Sequence, residues 1–411
     1  MTEALRGRPT AAPQATIAAD PGRLARFLTA LLLGLYVLFG YGVVTQTHHG
    51  VGPGGTPLFY DFAAFYQAGA FADAGHAAAA YDDDAMIAAE HAAFPGSTSR
   101  LPWNYPPLFQ LALMPLAALP YLVAWLVWSG AVCVFYGLTA RQLFEPRRLW
   151  PMVLAPGMAV NLLVGQNGLL STALIGAGVL LLPRRPIVAG VVLGLLAYKP
   201  QIAVLAPLVL LFGREWRALS AAVVSETMLI LLSAAVLGVD PWIAFVHKMS
   251  EPAALFTSSS SNWRAIPSVM VFAHSLGLAP GISSTLHWTT AAAAAAGALW
   301  IWNRHKDVRL RAGALAAAAL LVTPYLRAYD LALLILPIAA LLPRDGERSG
   351  IGLWAVIAAA WVAPAVVLMT TPQVQCGALV TAAVMALIVS RAARPPSRQV
   401  GAEGDHPPQP A

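Results

Sequence analysis

Polar side chains that interrupt apolar runs are the places where this chain could do chemistry. Lys199 is the one lysine inside a long apolar stretch, and Pro200 breaks the helix beside it. A charge in an apolar layer costs roughly 2.5–3.5 kcal/mol on insertion scales, so it marks a functional site by default. Such a cation could hold phosphate, or it could snorkel to an interface at the helix break. Asp61 is flanked by apolar and aromatic residues. It suits a base that takes a proton from a hydroxyl, and equally the N-cap of a helix over 62–72. Gln166 and Asn167 make a polar turn between two apolar runs. Amides both donate and accept, which suits hydroxyl-rich ligands, and the same pair could cap a helix. Arg327, Tyr329 and Asp330 lie between two further runs. Arg327 could hold phosphate while Asp330 orients it or meets a hydroxyl-rich ligand, or the two could form a local ion pair at a tight turn. Arg264 follows Trp263 and the run Ser258 to Ser261. It could hold phosphate or simply decorate a loop. Glu226, within the run 218–237, is expected to pair inside a helix bundle.

The elements that must position these residues are membrane helices. Of 411 residues, 58% are hydrophobic and 11% are charged, against about 45–50% and about 25% in an average soluble domain. That excludes a soluble globular protein, a disordered chain and a nucleic-acid binder. Apolar runs fall at about 27–45, 121–140, 151–164, 167–182, 187–197, 201–212, 218–237, 286–302, 312–326, 328–342, 351–370 and 376–390. A straight crossing takes about 20 residues, so the runs of 11–16 are expected to include broken or re-entrant helices. With a cytoplasmic N-terminus and twelve passes, 20 of the 25 basic residues fall on the cytoplasmic side, as the positive-inside rule requires. The stretch 105–120 then reads as a helix at the outer interface. No cleavable signal is recognisable, and the run 27–45 reads as a retained anchor. Residues 1–22 and 391–411 read as disordered cytoplasmic tails flanking one membrane domain, 23–390. Cys133 and Cys376 give neither a disulfide framework nor a metal spacing.

Two long loops, 46–104 and 238–285, fall on the outer face. The first carries Asp61, Asp73, Asp82, Asp83, Asp84 and Glu90 against Arg100, a net charge of −5. Phe62, Phe65, Tyr66 and Gly69 repeat at helical spacing, and this stripe suits a helix lying among headgroups. Asp82 to Asp84 read as the N-cap and first-turn acids of a helix over 84–93, ended by Pro95 and Gly96. A metal site is the other reading, although His48, His49, His76 and His91 show no zinc spacing.

The stretches Asp61-Phe62-x-x-Phe65-Tyr66-x-Ala68, Tyr81-Asp82 and Trp103-Asn104-Tyr105-Pro106-Pro107-Leu108-Phe109 occur in order. Gly165-Gln166-Asn167, Gly190 to Lys199-Pro200, Arg214-x-Trp216-Arg217, and Thr323-Pro324-Tyr325 to Tyr329-Asp330 follow. Together they resemble glycosyltransferase family 87 over roughly residues 55–345. The resemblance implies an all-α polytopic membrane protein, a GT-C-like bundle of about 10–13 transmembrane helices with outer-face loop helices. It implies a hexosyltransferase, mannosyltransferase-like, of the cell membrane. The donor would be a polyprenyl-phosphate-linked sugar and the acceptor a glycolipid or glycan outside. It places the catalytic acid at Asp61. Lys199, Arg327 and Arg264 become the candidates for donor phosphate. Gln166, Asn167, Tyr105, Tyr329 and Asp330 become the candidates for sugar or acceptor. No cofactor is implied, and divalent metal dependence stays open. A transporter or lipid-glycan flippase is the main rival, and an inactive scaffold subunit the third reading.

Overall fold

Proline sets where many helices of this chain begin. Its missing N–H is one of the unbonded donors of a first turn and its φ suits a helix. The computed structural model describes residues 21–47, 50–52, 54–250, 266–343, 347, 349–369 and 376–394. In chain order its α-helices are α1 (Pro21–Thr45), α2 (Tyr60–Asp73), α3 (Asp83–Ala93), α4 (Pro107–Ala117), α5 (Tyr121–Leu143), α6 (Pro146–Val153) and α7 (Pro156–Val164). Then come α8 (Gly168–Leu181), α9 (Pro186–Gly194), α10 (Pro200–Ala203), α11 (Ala206–Phe212), α12 (Trp216–Leu237) and α13 (Asp240–Met249). The last are α14 (Val269–Ser275), α15 (Pro280–Arg304), α16 (Val308–Val322), α17 (Ile335–Leu341), α18 (Ile351–Met369) and α19 (Gly377–Ala393). Short 3-10 turns at Ala77–Tyr81, Leu195–Tyr198 and Ala328–Leu334 complete the described helices. A lone bridge, Val51 to Pro57, is the β pairing seen among the described residues. Three helices are long and apolar enough to cross a membrane, α5, α12 and α18, and shorter apolar helices accompany them.

The helices sort by length and burial. α8 and α16, of 14 and 15 residues, are buried along nearly their whole length. The turn at Ala328–Leu334 and α17 are buried likewise. Around them α5 and α12, of 23 and 22 residues, leave a row of large apolar side chains exposed, Leu122, Leu126 and Val134 on the first and Val224, Met228 and Leu232 on the second. An apolar exterior of this kind is what lipid, not water, solvates. Glycine sets one close approach in this bundle: a Cβ at Gly190 on α9 would stand 2.1 Å from the Ala218 carbonyl oxygen on α12. That helix pair therefore approaches more closely than any side chain at 190 allows.

Charged residues tie helix ends to one another. Glu215 accepts from Arg311 at 2.7 Å and from Lys306 at 3.0 Å, which brings the clusters at 214–217 and 304–311 together. Arg148 reaches the Pro343 carbonyl and Arg391 the Leu341 carbonyl, at 3.0 and 2.9 Å. The two long loops meet each other in turn. Lys248 of α13 pairs with Asp83 of α3 at 2.6 Å and donates to the Tyr81 carbonyl at 3.2 Å.

Several expectations change. The run 151–164 is two helices, α6 and α7, because Pro156 starts a new one. The stretch 105–120 does hold a helix, α4, of 11 residues, shorter than a crossing. The aromatic stripe of α2 does not lie among headgroups. Phe62 and Phe65 are buried, Phe65 meeting Trp103, Phe109 and Trp128 edge-on at 5.3–6.1 Å. Residues Trp103 to Phe109, the approach to α4 and its first turn, pack over α2 and fill the space that lipid was expected to occupy. Asp82 does cap α3, accepting from the Asp84 and Ala85 N–H groups at 2.9 and 3.1 Å. Glu226 is exposed on α12, and no hydrogen bond or ion pair holds it among the described residues. Arg264, His48 and His49 lie outside the described residues.

Candidate active site

Each candidate side chain sits where a helix starts or breaks. Asp61 belongs to the first turn of α2, whose N-cap is Phe59 in the left-handed region (φ 54°) with no side-chain cap bond. The capping reading of Asp61 therefore falls, and its carboxyl is free for another task. Gln166 and Asn167 follow Gly165, which ends α7 at φ 75°. Glycine is needed there for a second reason: a Cβ would stand 2.4 Å from Phe62 Cβ. The α7–α8 turn thus rests directly on the first turn of α2. Lys199 occupies the break between the 3-10 turn Leu195–Tyr198 and α10. Arg327 precedes the 3-10 turn that holds Tyr329 and Asp330.

Tertiary packing brings these breaks to one place and joins them. Lys199 Nζ donates to Asp330 Oδ1 at 2.5 Å and to Asn167 Oδ1 at 2.8 Å, and it lies 5.0 Å from the Tyr329 ring centroid. Both members of the ion pair are 2% exposed. Asp330 Oδ2 accepts from the Arg327 backbone N–H at 3.2 Å. Tyr105 Oη donates to Gln166 Oε1 at 3.2 Å. Asp61, half-buried, completes the group, with the Gln166 side chain within hydrogen-bonding reach of its carboxyl. Burial pushes the Asp61 carboxyl up to about 6, and the positive charges of Arg327 and Lys199 and the Gln166 bond hold it from going higher. That value suits a base that is ionised at neutral pH and still able to take a proton.

All the sequence candidates within the described residues share this site: Asp61, Tyr105, Gln166, Asn167, Lys199, Arg327, Tyr329 and Asp330. Lys199, expected as a phosphate ligand, has its ammonium engaged by Asp330 and Asn167, because a charge this deeply buried must be paired. Arg327 is exposed. Supporting residues went unnoticed in the sequence. Asn161 Nδ2 donates to the Tyr329 carbonyl at 2.9 Å and its Oδ1 accepts from the Leu169 N–H at 3.3 Å, stitching α7, α8 and the Tyr329 turn. Tyr198 bonds Ser171 at 2.6 Å and the Asn167 carbonyl at 3.2 Å. Gln110, fully buried on α4, donates to the Ala68 and Ala77 carbonyls at 2.9 and 3.0 Å and pins the end of α2. An Asn or Gln inside an apolar run is costly unless bonded, and that signal could have found Asn161 and Gln110. Among the described residues no group of three His, Cys, Asp or Glu side chains could hold a metal ion.

These features define an all-α membrane protein with a buried polar cluster where several helices break. The sequence profile of glycosyltransferase family 87 matches residues 103–324, more than half of the chain, and the chain belongs to that family. No curated protein and no solved structure matches it. The matched stretch contains Tyr105, Gln166, Asn167 and Lys199, while Asp61, Arg327, Tyr329 and Asp330 lie outside it. Family membership makes the chain a membrane glycosyltransferase, and the transporter and scaffold readings give way to it.

Proposed function

We propose that this glycosyltransferase moves a hexose, mannose in the first instance, from a polyprenyl-phosphate-linked donor to a glycolipid or glycan. The acceptor lies on the face carrying the two long loops, outside the cell membrane, and both termini are cytoplasmic. The observation that carries the reading is the placing of Asp61, a half-buried carboxyl held near 6, beside the exposed Arg327 in a cluster where several helices break. α8 has 14 residues and α16 has 15, about 20 Å of helix each. That falls short of the about 30 Å of a hydrocarbon core. A site at the ends of such helices is sunk below the membrane surface, where the phosphate of a lipid-borne donor also sits. α2 and α8 both begin at the site, and their N-termini favour an anionic group.

The chemistry follows from these positions. Asp61 takes the proton from the acceptor hydroxyl as its oxygen attacks the anomeric carbon. The bond from that carbon to the phosphate oxygen breaks, and the polyprenyl phosphate leaves with the electron pair. Arg327 and the helix N-termini stabilise the charge that develops on the phosphate. Lys199, fixed on Asp330 and Asn167, contributes its field and holds the Asn167 amide in place. Displacement by the acceptor inverts the anomeric carbon.

Two measurements test this. Membranes of cells expressing the chain, given radiolabelled polyprenyl-phosphate mannose, are expected to move label into a glycolipid or glycan. Label that stays entirely in the donor would remove the proposal. The orientation is read separately. A cysteine placed within 70–100 is expected to react with an impermeant thiol reagent in intact cells, and one within 303–311 is not. The reverse pattern would put the site on the wrong face.

A further inference from the structure

Gln166 can be read as an amide that greets a sugar hydroxyl, but its carbonyl oxygen is already taken. Oε1 accepts from the Tyr105 hydroxyl at 3.2 Å and from the Asn167 backbone N–H at 3.1 Å. A backbone N–H can only donate, so the side-chain atom facing it must be the oxygen. That removes the usual ambiguity between the two ends of the amide. The Nε2 end is thereby turned away from Asn167, and Gly165, next to Gln166 in the chain, packs on Phe59 and Phe62, the turn that carries Asp61. The turn cannot drift from this position, because Gly165 brings it against Phe62 and Phe59 with no room for a Cβ. The side chain is buried and its backbone N–H is bonded to the Asn161 carbonyl at 2.9 Å.

We propose that Gln166 is the positioning residue of the base: Tyr105 and the Asn167 N–H lock its oxygen, and its amide N–H₂ holds the Asp61 carboxylate in one orientation. One carboxylate oxygen is then occupied by the amide, and the other is left to accept the proton of the incoming hydroxyl. The inference rests on the reading of Asp61 as base. A donor on the carboxylate also favours its charged form. The other groups that act on Asp61 are Arg327, Lys199 and Asp330, while its charge in turn reaches the phenols of Tyr60, Tyr105, Tyr121 and Tyr329. Gln166 supplies a neutral donor to Asp61 whose effect depends on orientation alone.

The test uses full-length protein in membranes with radiolabelled polyprenyl-phosphate mannose, following initial rate against pH and donor concentration. Gln166→Met keeps much of the stem and removes the donor. It is expected to lower kcat by about 10-fold or more, to leave the donor KM near the parent value and to move the acid limb up by about one pH unit. Tyr105→Phe removes one of the two locks with little change of shape, and is expected to move the limb in the same direction by less. If Gln166→Met does not fold, Tyr105→Phe decides alone. A raised donor KM with an unmoved acid limb would make Gln166 a sugar ligand and overturn the proposal. Failure of the base itself looks different: Asp61→Asn would then keep the parent rate whatever Gln166 does.

Discussion

Asp61→Asn is expected to fold as the parent does and to lose about 10²–10⁴-fold in turnover, the usual contribution of general acid–base catalysis. Asn has nearly the same shape and can still bond the Gln166 side chain, but it cannot accept a proton near neutral pH. The donor KM should change little, because the base acts on the acceptor. Stability should move the opposite way to activity. The Asp61 carboxyl is raised from 3.8 to about 6 by folding, so the folded state prefers the protonated form. Its contribution to stability is complete below about pH 4 and is lost as pH rises through about 6. Above that pH the parent carries a partly desolvated, costly carboxylate and the Asn variant does not. The variant should therefore melt at a higher temperature than the parent at pH 7–8, with the difference shrinking below pH 5. The parent rate should fall as pH drops through about 6, where the base takes up its proton. A turnover within a few fold of the parent, or a parent rate that is flat across pH 5–7, would defeat the assignment.

Lys199→Met is the second large effect, and it acts first on the fold. The substitution removes the charge that neutralises Asp330 at 2.5 Å, with both groups 2% exposed. Removing one partner of a buried pair costs about 3–5 kcal/mol, because the other charge stays buried without compensation. It also strips the Asn167 Oδ1 of its donor at 2.8 Å. The variant is expected to melt well below the parent in detergent and to be inactive. The double variant Lys199→Met/Asp330→Leu leaves no unpaired charge, so most of the melting temperature should return while transfer stays lost, the site having lost both groups. Thermal unfolding of the three proteins in one detergent measures this. A single variant that melts with the parent would show that the pair carries no such weight. A double variant no better than the single would show that Asp330 is not the group left exposed to the penalty.

Much of this molecule was legible before folding was considered. The low charge and the long apolar runs dictate membrane helices, because nothing else of that composition can be solvated. The spread of Arg and Lys assigns the clusters at 214–217 and 304–311 to one side, but that Glu215 ties the two together is a tertiary fact. The cost of a polar group in an apolar run singled out Lys199, Gln166 with Asn167, and Asp330, and these meet in one cluster. Such signals work because each is a local energetic penalty that some other residue must offset.

What the sequence could not say is who offsets it. Lys199 and Asp330 are 131 residues apart, and no local rule pairs them. Only the tertiary fold turned a lone intramembrane cation into half of an ion pair. The same holds for Asp61, where a first-turn acid and an N-cap look alike in sequence. The left-handed Phe59 moved the helix start by two residues and left the carboxyl facing Gln166. The stripe of α2 was misread for a related reason. Periodicity reports that one face is apolar, not whether lipid or protein covers it. That face met Trp103 and Phe109 from a segment some forty residues onward. Local patterns thus settled which residues are costly and which elements form. The three-dimensional arrangement decided which costs cancel, because cancellation depends on distances of a few ångströms between segments far apart in the chain.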